Sequence, residues 1–382
     1  MFEPSEEQAA LIGAAREFCR ATLPPGDLKE DDERERFRVD VIRALGEQGL
    51  CGIPTPEAYG GLGLGYLEYA MVLEEIAAVS ASAAVSVAVT GLPQVILVGY
   101  GTEAQKTRWL PGLASGALLG AFALSEPESG SDAASLKTVA VRDGDRYRLT
   151  GTKFWITHGG YADVYVVMAR TGGPGPKGVS AFLLPGDAPG LSFGKKEEKM
   201  GLRASPTVEI VLDDCTIPVD NLIGGEGMGF RVAMSALDSG RITIGATSVG
   251  LSRAALTYAT GYATQRKQFE TPIIDFQGVG FLLADMACRT EAARLLVHKA
   301  AWLRDNQRDY AQAAAMAKVV ATDAAMAVAT DAVQVLGGYG YTREHPVERY
   351  MRDAKVMQIV EGTNQIQRVV IARHLKHGAG LP

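Results

Sequence analysis

The sequence predicts an α+β protein in which helical and β-rich regions follow one another along the chain instead of alternating. Three observations predict this. Up to about residue 120, apolar residues recur at helical spacing. From about 121 to 222 they alternate with polar residues and are punctuated by Gly and Pro turn signals. Beyond that lie long, Ala-rich, amphipathic stretches. No segment repeats. At 382 residues, 47% of them hydrophobic, the chain exceeds what one ordinary core serves. The changes of pattern divide it into an N-terminal helical domain, 1–120, a β domain, 121–225, and a C-terminal helical domain, 226–382.

The elements justify this in order. "SEEQAALIGAAREFCRATL" begins with Ser5 and Gln8 three residues apart, the spacing of a capping box, and continues at helical period. "GYLEYAMVLEEIAAVS" and "TEAQKTRWLPGLASG" are further helices. Between them, Ile76 to Ala104 lacks basic residues, but Pro93 and several glycines and serines break it. It reads as buried helices and a turn, and no run of about 18 uncharged apolar residues reads as a membrane span. "TVAVRDGDRYRLTGTKFWIT" alternates about Asp143-Gly144-Asp145, a hairpin signal, and "ADVYVVMAR", "GVSAFLLPG" and "TVEIVLDDCTIP" read as strands. Three long helical stretches follow, starting at Gly229, Phe276 and Tyr310. With the helix after Glu361 they compose a four-helix bundle. The apolar run Val356–Val360 reads as a strand leading to that last helix.

Composition narrows the function. A net charge of −6 offers no basic excess for a phosphate backbone, which argues against nucleic acid as a partner. Cys19, Cys51, Cys215 and Cys288 are far apart, and the five histidines form no HExxH pattern, so no metal site is expected. The acidic start "MFEPSEEQ" resembles neither a signal nor a transit peptide. With thiols suited to a reducing compartment, this points to a cytoplasmic protein.

Four stretches and one acid carry candidate chemistry. "FALSEPESGSD", Phe122 to Asp132, is rich in backbone donors and hydroxyls and fits either a phosphate or heteroaromatic cradle or an ordinary polar turn. "GTKFWITHGG" sets Trp155 beside Thr157, which suits a planar cofactor or a core strand equally. "QRKQFETPIIDFQ" brings Arg266, Phe269 and Gln277 together, for a pyrophosphate and an adenine or for a solvated helix end. In "QVLGGYGYTREHPVERYMRDAKV" the glycines follow a helix, not a strand, so this is no dinucleotide fingerprint. They permit close backbone approach to a neighbour or ligand. Glu361, between Ile359-Val360 and Gly362, is a carboxylate in apolar surroundings. Desolvation there makes it a base poised near neutrality; the alternative is a glutamate capping the next helix.

Together, in this order, "LSEPESGSDAAS", "WIT", "RKQFETPIIDFQ", "QVLGGYGYTREHPVERYMRD" and "EGTNQIQR" resemble the acyl-CoA dehydrogenase family over essentially the whole chain. "LSEPESGSD", "FGKKEEKMGLR" and "LDSGRI" resemble its short-chain, butyryl-type branch. The resemblance implies an N-terminal helical domain, a central antiparallel β-barrel and a C-terminal four-helix bundle, assembled as a homotetramer, a dimer of dimers. It implies FAD, an acyl-CoA substrate and electron-transferring flavoprotein as the electron acceptor. By motif, Phe122, Leu124, Ser125 and Ser131 contact the flavin, with Ser131 also touching CoA. Trp155, Ile156 and Thr157 flank the ring, with Thr157 near its N5. Arg266, Phe269 and Gln277 hold the adenylate part, and Gln334, Val335, Gly337 and Gly338 complete that site from the adjacent subunit. Thr363, Asn364 and Gln365 bind FAD after the base. Asp238, Arg241 and Gly362 line the acyl-CoA site.

The same resemblance makes Glu361 the general base, taking the α-proton of a saturated thioester as the β-hydride passes to flavin N5, to give the trans-2-enoyl-CoA. Some relatives place the base on another helix, at the position matching Gly240, where this chain has no carboxylate. The stretch between Ile76 and Gln105 has no Lys or Arg to bind the distal carboxylate of a glutaryl group, which favours a neutral, short- to medium-chain acyl group. A branched acyl group, or oxygen as acceptor in the manner of an oxidase, fits the same motifs. A catalytically silent scaffold is the remaining alternative, and the intact Glu361, Trp155-Ile156-Thr157 and Arg266 argue against it.

Overall fold

The computed structural model describes residues 3–376 and 378. The N-terminal helices are α1 (Glu6–Thr22), α2 (Pro25–Arg34), α3 (Val39–Glu47), α4 (Tyr66–Val79), α5 (Ala81–Tyr100) and α6 (Glu103–Ala114). The capping box forms: Gln8 N donates to Ser5 Oγ at 3.2 Å and Ser5 N to Gln8 Oε1 at 2.9 Å. Pro93 does not break the chain as its residue type suggests. The turn falls at Ser80, whose Oγ accepts from Ala83 N at 3.2 Å, and α5 runs on through Pro93. The proline ring packs against β1 at Gly120, where an added Cβ would stand 2.9 Å from Pro93 Cγ. Tertiary packing thus outweighs local propensity here. Two segments, Ala81–Tyr100 and Ala311–Tyr341, are long and apolar enough to cross a membrane by length and composition, unlike the reading above. They lie 78% and 56% buried inside the protein, where the same composition suits core helices.

The middle region has β1 (Gly120–Ala123), β2 (Val139–Asp143), β3 (Arg146–Thr157), β4 (Val164–Arg170), β5 (Val179–Pro185), β6 (Leu191–Lys196), β7 (Thr207–Pro218) and β8 (Leu222–Ile223). They form one sheet in the order β6-β7-β3-β2-β4-β5-β8, with β1 on β4. The expected antiparallel sheet is in fact mixed: β1 and β2 both run parallel to β4. The reason lies in connectivity, because the β2–β3 hairpin is inserted between β1 and β4 and supplies the crossover that a parallel pair needs. The sheet curls strongly. Tyr147 on β3 and Phe182 on β5 are three strand steps apart, about 14 Å in a flat sheet, yet their ring centroids are 4.9 Å apart. They enclose Leu149, Leu184, Ile210 and Leu212.

The C-terminal region consists of α7 (Gly229–Gln265), the hairpin β9 (Lys267–Gln268) and β10 (Thr271–Pro272), then α8 (Gln277–Asp305), α9 (Ala311–Leu336), α10 (Val347–Met357) and α11 (Asn364–Lys376). Helices α7, α8 and α9 pack on one another and α11 packs on α9. Helix α10, against α9 and α7, takes in Val356 and Met357 of the stretch read as a strand, and residues 358–360 form the turn that follows it. Its buried Val347, Ala354 and Met357 follow the helical period, masked in the sequence by interleaved charges. Helix α4 crosses α7 so closely at Gly250 that a Cβ there would overlap Glu74 O. Buried Glu74 meets Arg253 at 3.5 Å, Arg294 at 3.1 Å and His298 at 2.8 Å, tying α4 to α7 and α8.

Candidate active site

Glu361 sits between α10 and α11, a helix-to-helix turn. It has φ +54° and Gly362 has φ +86°. Left-handed backbone costs a non-glycine residue roughly 1–2 kcal/mol, so the surroundings must impose it. They do so from two sides. Gln367 Nε2 donates to Glu361 O at 3.0 Å and Gly362 O at 2.9 Å. Lys318 Nζ, on α9, donates to Gly362 O at 3.0 Å and Asn364 Oδ1 at 2.9 Å. Asn364 Nδ2 in turn donates to Thr322 Oγ1 at 2.9 Å and Asp323 Oδ1 at 2.7 Å. The cap of α11 is Thr363, whose Oγ1 accepts from Ile366 N at 3.3 Å. That decides against Glu361 as a capping residue.

The Glu361 side chain turns back toward α7. Its Oε2 is shielded from solvent and has no hydrogen-bond partner. Among the described residues the Glu361 N–H donates to no protein group either. Burial pushes the carboxyl up to about 7, against the opposing pull of Arg241 and Lys318. Arg241 is itself buried and pairs with Asp238 one turn earlier, so these two sequence candidates do gather near Glu361. Burial raises the Asp238 carboxyl despite that pairing. Lys318 has no exposed surface, and burial lowers its ammonium to about 7 although Glu361 opposes this. The sequence reading missed Lys318 and Gln367. The available signal was the one cation in a mostly apolar, Ala-rich run, "AAAMAKVVATDAAM".

The loop after β1 and the end of β3 meet at a second place. Trp155 is 59% exposed with φ +63°, at a register shift between β3 and β7, so it is not a core tryptophan. Ile156 points into the sheet core and Thr157 is half-buried. Beneath them Lys153, fully buried, donates to Leu124 O at 3.0 Å and Glu126 Oε1 at 2.8 Å. Phe154 N donates to Ser125 O at 2.9 Å. Glu126 also accepts from Lys137 N and Thr138 N, at 2.5 and 2.9 Å. The loop is therefore a built structure, not a free turn. Leu124 and Phe122 turn their side chains into the core shared with α5 and α7, leaving backbone, Ser125 and exposed Ser131 to face outward.

The third group lies far from the first. Arg266 ends α7, Gln277 begins α8, and Phe269 between them is 91% exposed with φ +50°. Arg266 has no ion-pair partner among the described residues, only the Tyr339 ring at 5.6 Å. Tyr339 follows Gln334, Val335, Gly337 and Gly338 at the end of α9, so the two segments adjoin within one chain, where the resemblance had implied that the second comes from the adjacent subunit. Added Cβ atoms on Gly337 and Gly338 would meet open space, whereas Gly340 abuts Val333 O. Val335 is buried and Gln334 exposed. Gly240, against Glu361, and Arg266 are 26 residues apart on the unbroken α7. That is about 39 Å, beyond the reach of one extended dinucleotide.

Family models for the acyl-CoA dehydrogenase N-terminal, middle and C-terminal domains match residues 5–117, 121–215 and 227–376. The chain is 43% identical over 373 residues to the short-chain specific acyl-CoA dehydrogenase of Clostridium acetobutylicum, covering 97% of this chain and 98% of that one. The solved butyryl-CoA dehydrogenase of Megasphaera elsdenii superimposes with TM-score 0.96 at 42% identity, over 98% of this chain and 100% of that one. A chain from the solved structure of the electron-transferring flavoprotein of Acidaminococcus fermentans gives TM-score 0.96 at 44% identity, over 98% and 99%. This chain belongs to the acyl-CoA dehydrogenase family.

Proposed function

We propose that this chain is an FAD-dependent acyl-CoA dehydrogenase that desaturates a short- to medium-chain acyl-CoA with Glu361 as general base. The single observation that carries this is the shielded, unpartnered Oε2 of Glu361 on a turn clamped to α9. A base that must take a weakly acidic α-proton needs its water removed and its pKa raised, and burial does both here. The Glu361 N–H, unused among the described residues, is available to donate to the thioester carbonyl and stabilise charge that develops there. Arg241 and Asp238 orient the acyl-CoA beside it.

The residues present fit FAD. Trp155 offers an exposed ring face on a fixed backbone, the Leu124–Ser131 loop offers outward backbone and hydroxyls, and Thr157, Thr363 and Gln365 add hydroxyl and amide groups, whereas the Asn364 side chain is buried and spent on Lys318, Thr322 and Asp323. Arg266, without a carboxylate partner among the described residues, suits a pyrophosphate, with Phe269, Gln277 and the Gln334–Gly338 segment for the adenylate. When bound, FAD supplies the acceptor for the hydride leaving the β-carbon. The separation along α7 supports delivery of the Arg266 group by a second copy, in keeping with the homotetramer, a dimer of dimers, that the family resemblance implies. Exposed Phe269, Phe281 and Tyr341 at that end are suited to such an interface. The domain limits 1–120, 121–225 and 226–382, an electron-transferring flavoprotein as acceptor, and a cytoplasmic location without a membrane span complete the reading.

The test is Glu361→Gln, which keeps shape and removes basicity. FAD and acyl-CoA still bind, while anaerobic flavin bleaching slows by roughly 10²–10⁴. Near-normal bleaching would move the base elsewhere.

A further inference from the structure

The buried ammonium of Lys318 has no role in the chemistry assigned above. It lies in the Ala-rich α9 with no exposed surface. Burying a cation is costly unless it is paired and hydrogen-bonded. Its acceptors are Gly362 O at 3.0 Å and Asn364 Oδ1 at 2.9 Å, one on either side of Thr363 in the turn that carries Glu361. Neither acceptor carries a formal charge. A purely structural tie to a carbonyl and an amide needs no cation; a neutral donor does it without the desolvation cost. The nearby anions are Glu361, one residue from Gly362, and Asp323, whose oxygens are already engaged by Asn364, Gln358 and Arg368. From α7, Arg241 faces the same space, held by Asp238.

We propose that Lys318 is a positioning residue for the base: it holds the left-handed Glu361–Gly362 turn through the Gly362 carbonyl and supplies the sealed positive charge against which the Glu361 carboxylate ionises. This deepens the reading of Glu361 as base and rests on it. Two functions are thereby combined in one side chain. The hydrogen bonds fix where the carboxyl points, since Gln367 alone would leave Gly362 O with a single donor. The charge fixes how readily a buried carboxyl gives up its proton, because opposite charge in low dielectric favours the ionised form. Protonation of the base is then linked reciprocally to that of Lys318.

The test separates the two functions. The ionisation of Glu361 is followed by the carboxyl band in infrared titration, assigned by its loss in Glu361→Gln, and the pH profile of anaerobic flavin bleaching is recorded alongside. In Lys318→Met the midpoint rises by about one unit or more. Bleaching near neutral pH then drops about tenfold or more and recovers as pH is raised. Lys318→Gln, which keeps a donor, shows the same upward shift. Lys318→Arg keeps the charge, so its midpoint stays near that of the parent, while its rate falls at every pH because the longer fork displaces the turn. An unmoved midpoint in both neutral variants overturns the proposal. Should neither neutral variant fold, the reciprocal titration in Glu361→Gln decides. The midpoint of Lys318, read from its ¹³Cε resonance, falls when the carboxylate is removed, and an unchanged value overturns the proposal. If the band moves with Lys318 but Glu361→Gln bleaches normally, the identity of the base has failed and the coupling has not.

Discussion

Gly240 on α7 faces the Glu361 carboxylate so closely that a side chain of even one carbon would overlap its Oε2. The sequence comparison above had noted Gly240 only as a position without a competing acid. The geometry gives it a positive role: the space left by the missing side chain is occupied by the Glu361 carboxyl. A carboxylate arising from α7 at this point and one arising from the 358–363 turn exclude each other sterically. Gly240→Ala is therefore expected to keep the fold, since alanine is the better helix former, and to displace the carboxyl. A displacement of about 1 Å costs on the order of 10²-fold in rate. Stopped-flow bleaching under anaerobic conditions measures it; a parent-like rate in a folded, FAD-loaded variant would show that the carboxyl relocates without penalty.

The pH dependence follows from the same burial. With Glu361 as the proposed base, its carboxyl, raised to about 7, is protonated below that pH and should not accept the α-proton there. The kcat/KM for flavin reduction should fall about tenfold per pH unit on that acid limb, and a profile flat down to pH 5 would contradict it. The effect on stability has the opposite sense. The folded-state pKa lies above the ordinary 4.5, so between 4.5 and about 7 the folded protein retains a proton that the unfolded chain has lost. The contribution of Glu361 to stability is present below that window and is lost as pH rises through it. The melting temperature of Glu361→Gln relative to the parent should accordingly rise from pH 4.5 to 7.

Much of the architecture was legible because periodicity survives in sequence. The capping box at Ser5 and Gln8, the Asp143-Gly144-Asp145 hairpin and the long C-terminal helices each rest on contacts within a few residues. What was not legible depends on residues distant in sequence. Pro93 stays helical because its ring lies on Gly120, and β1 runs parallel to β4 because the β2–β3 hairpin is inserted between them. The site divides similarly. Glu361 stood out as an acid among apolar neighbours. Lys318, Gln367, Lys153 and Glu126 hold the site in place through hydrogen bonds to backbone carbonyls or N–H groups, and a backbone group leaves no mark in a sequence.

Arg266 tests the cofactor assignment and the second copy together. It is exposed, lacks a carboxylate partner and sits about 39 Å along α7 from the base. Arg266→Ala should leave a pyrophosphate charge unpaired and cost about 1.5–3 kcal/mol of FAD affinity. Flavin retention after serial dilution reads this out. Mixing Arg266→Ala with Glu361→Gln chains distinguishes one copy from two. If a neighbour supplies Arg266, some sites in the mixed oligomers combine an intact base with an intact arginine from the partner copy and recover tight FAD and bleaching. Absence of recovery in verified mixed oligomers would place both groups in the same site of one chain.

The acyl group is the last point the structure bears on. Val85 and Val89 of α5 pack in one cluster with Ile244 of α7 and Val360 beside Glu361, so α5 walls the apolar region next to the proposed base. No Lys or Arg occurs between Ile76 and Gln105. The one amide on this stretch of α5, Gln94, is fully engaged: its Nε2 donates to Cys51 O and Thr90 O at 3.0 and 3.2 Å, and its Oε1 accepts from Thr55 at 2.6 Å. A hydrocarbon tail gains roughly 0.8 kcal/mol per buried methylene in such surroundings. A tail carboxylate loses its water and finds no cation on this wall. Butyryl-CoA should therefore bleach the flavin quickly and glutaryl-CoA should not, although both carry the same CoA handle. Anaerobic bleaching rates for butyryl-, octanoyl-, isobutyryl- and glutaryl-CoA decide it. Glutaryl-CoA reacting fastest would refute the neutral wall. Octanoyl-CoA reacting far faster than butyryl-CoA would refute only the preference for a short chain, because lengthening an apolar tail leaves the charge argument untouched.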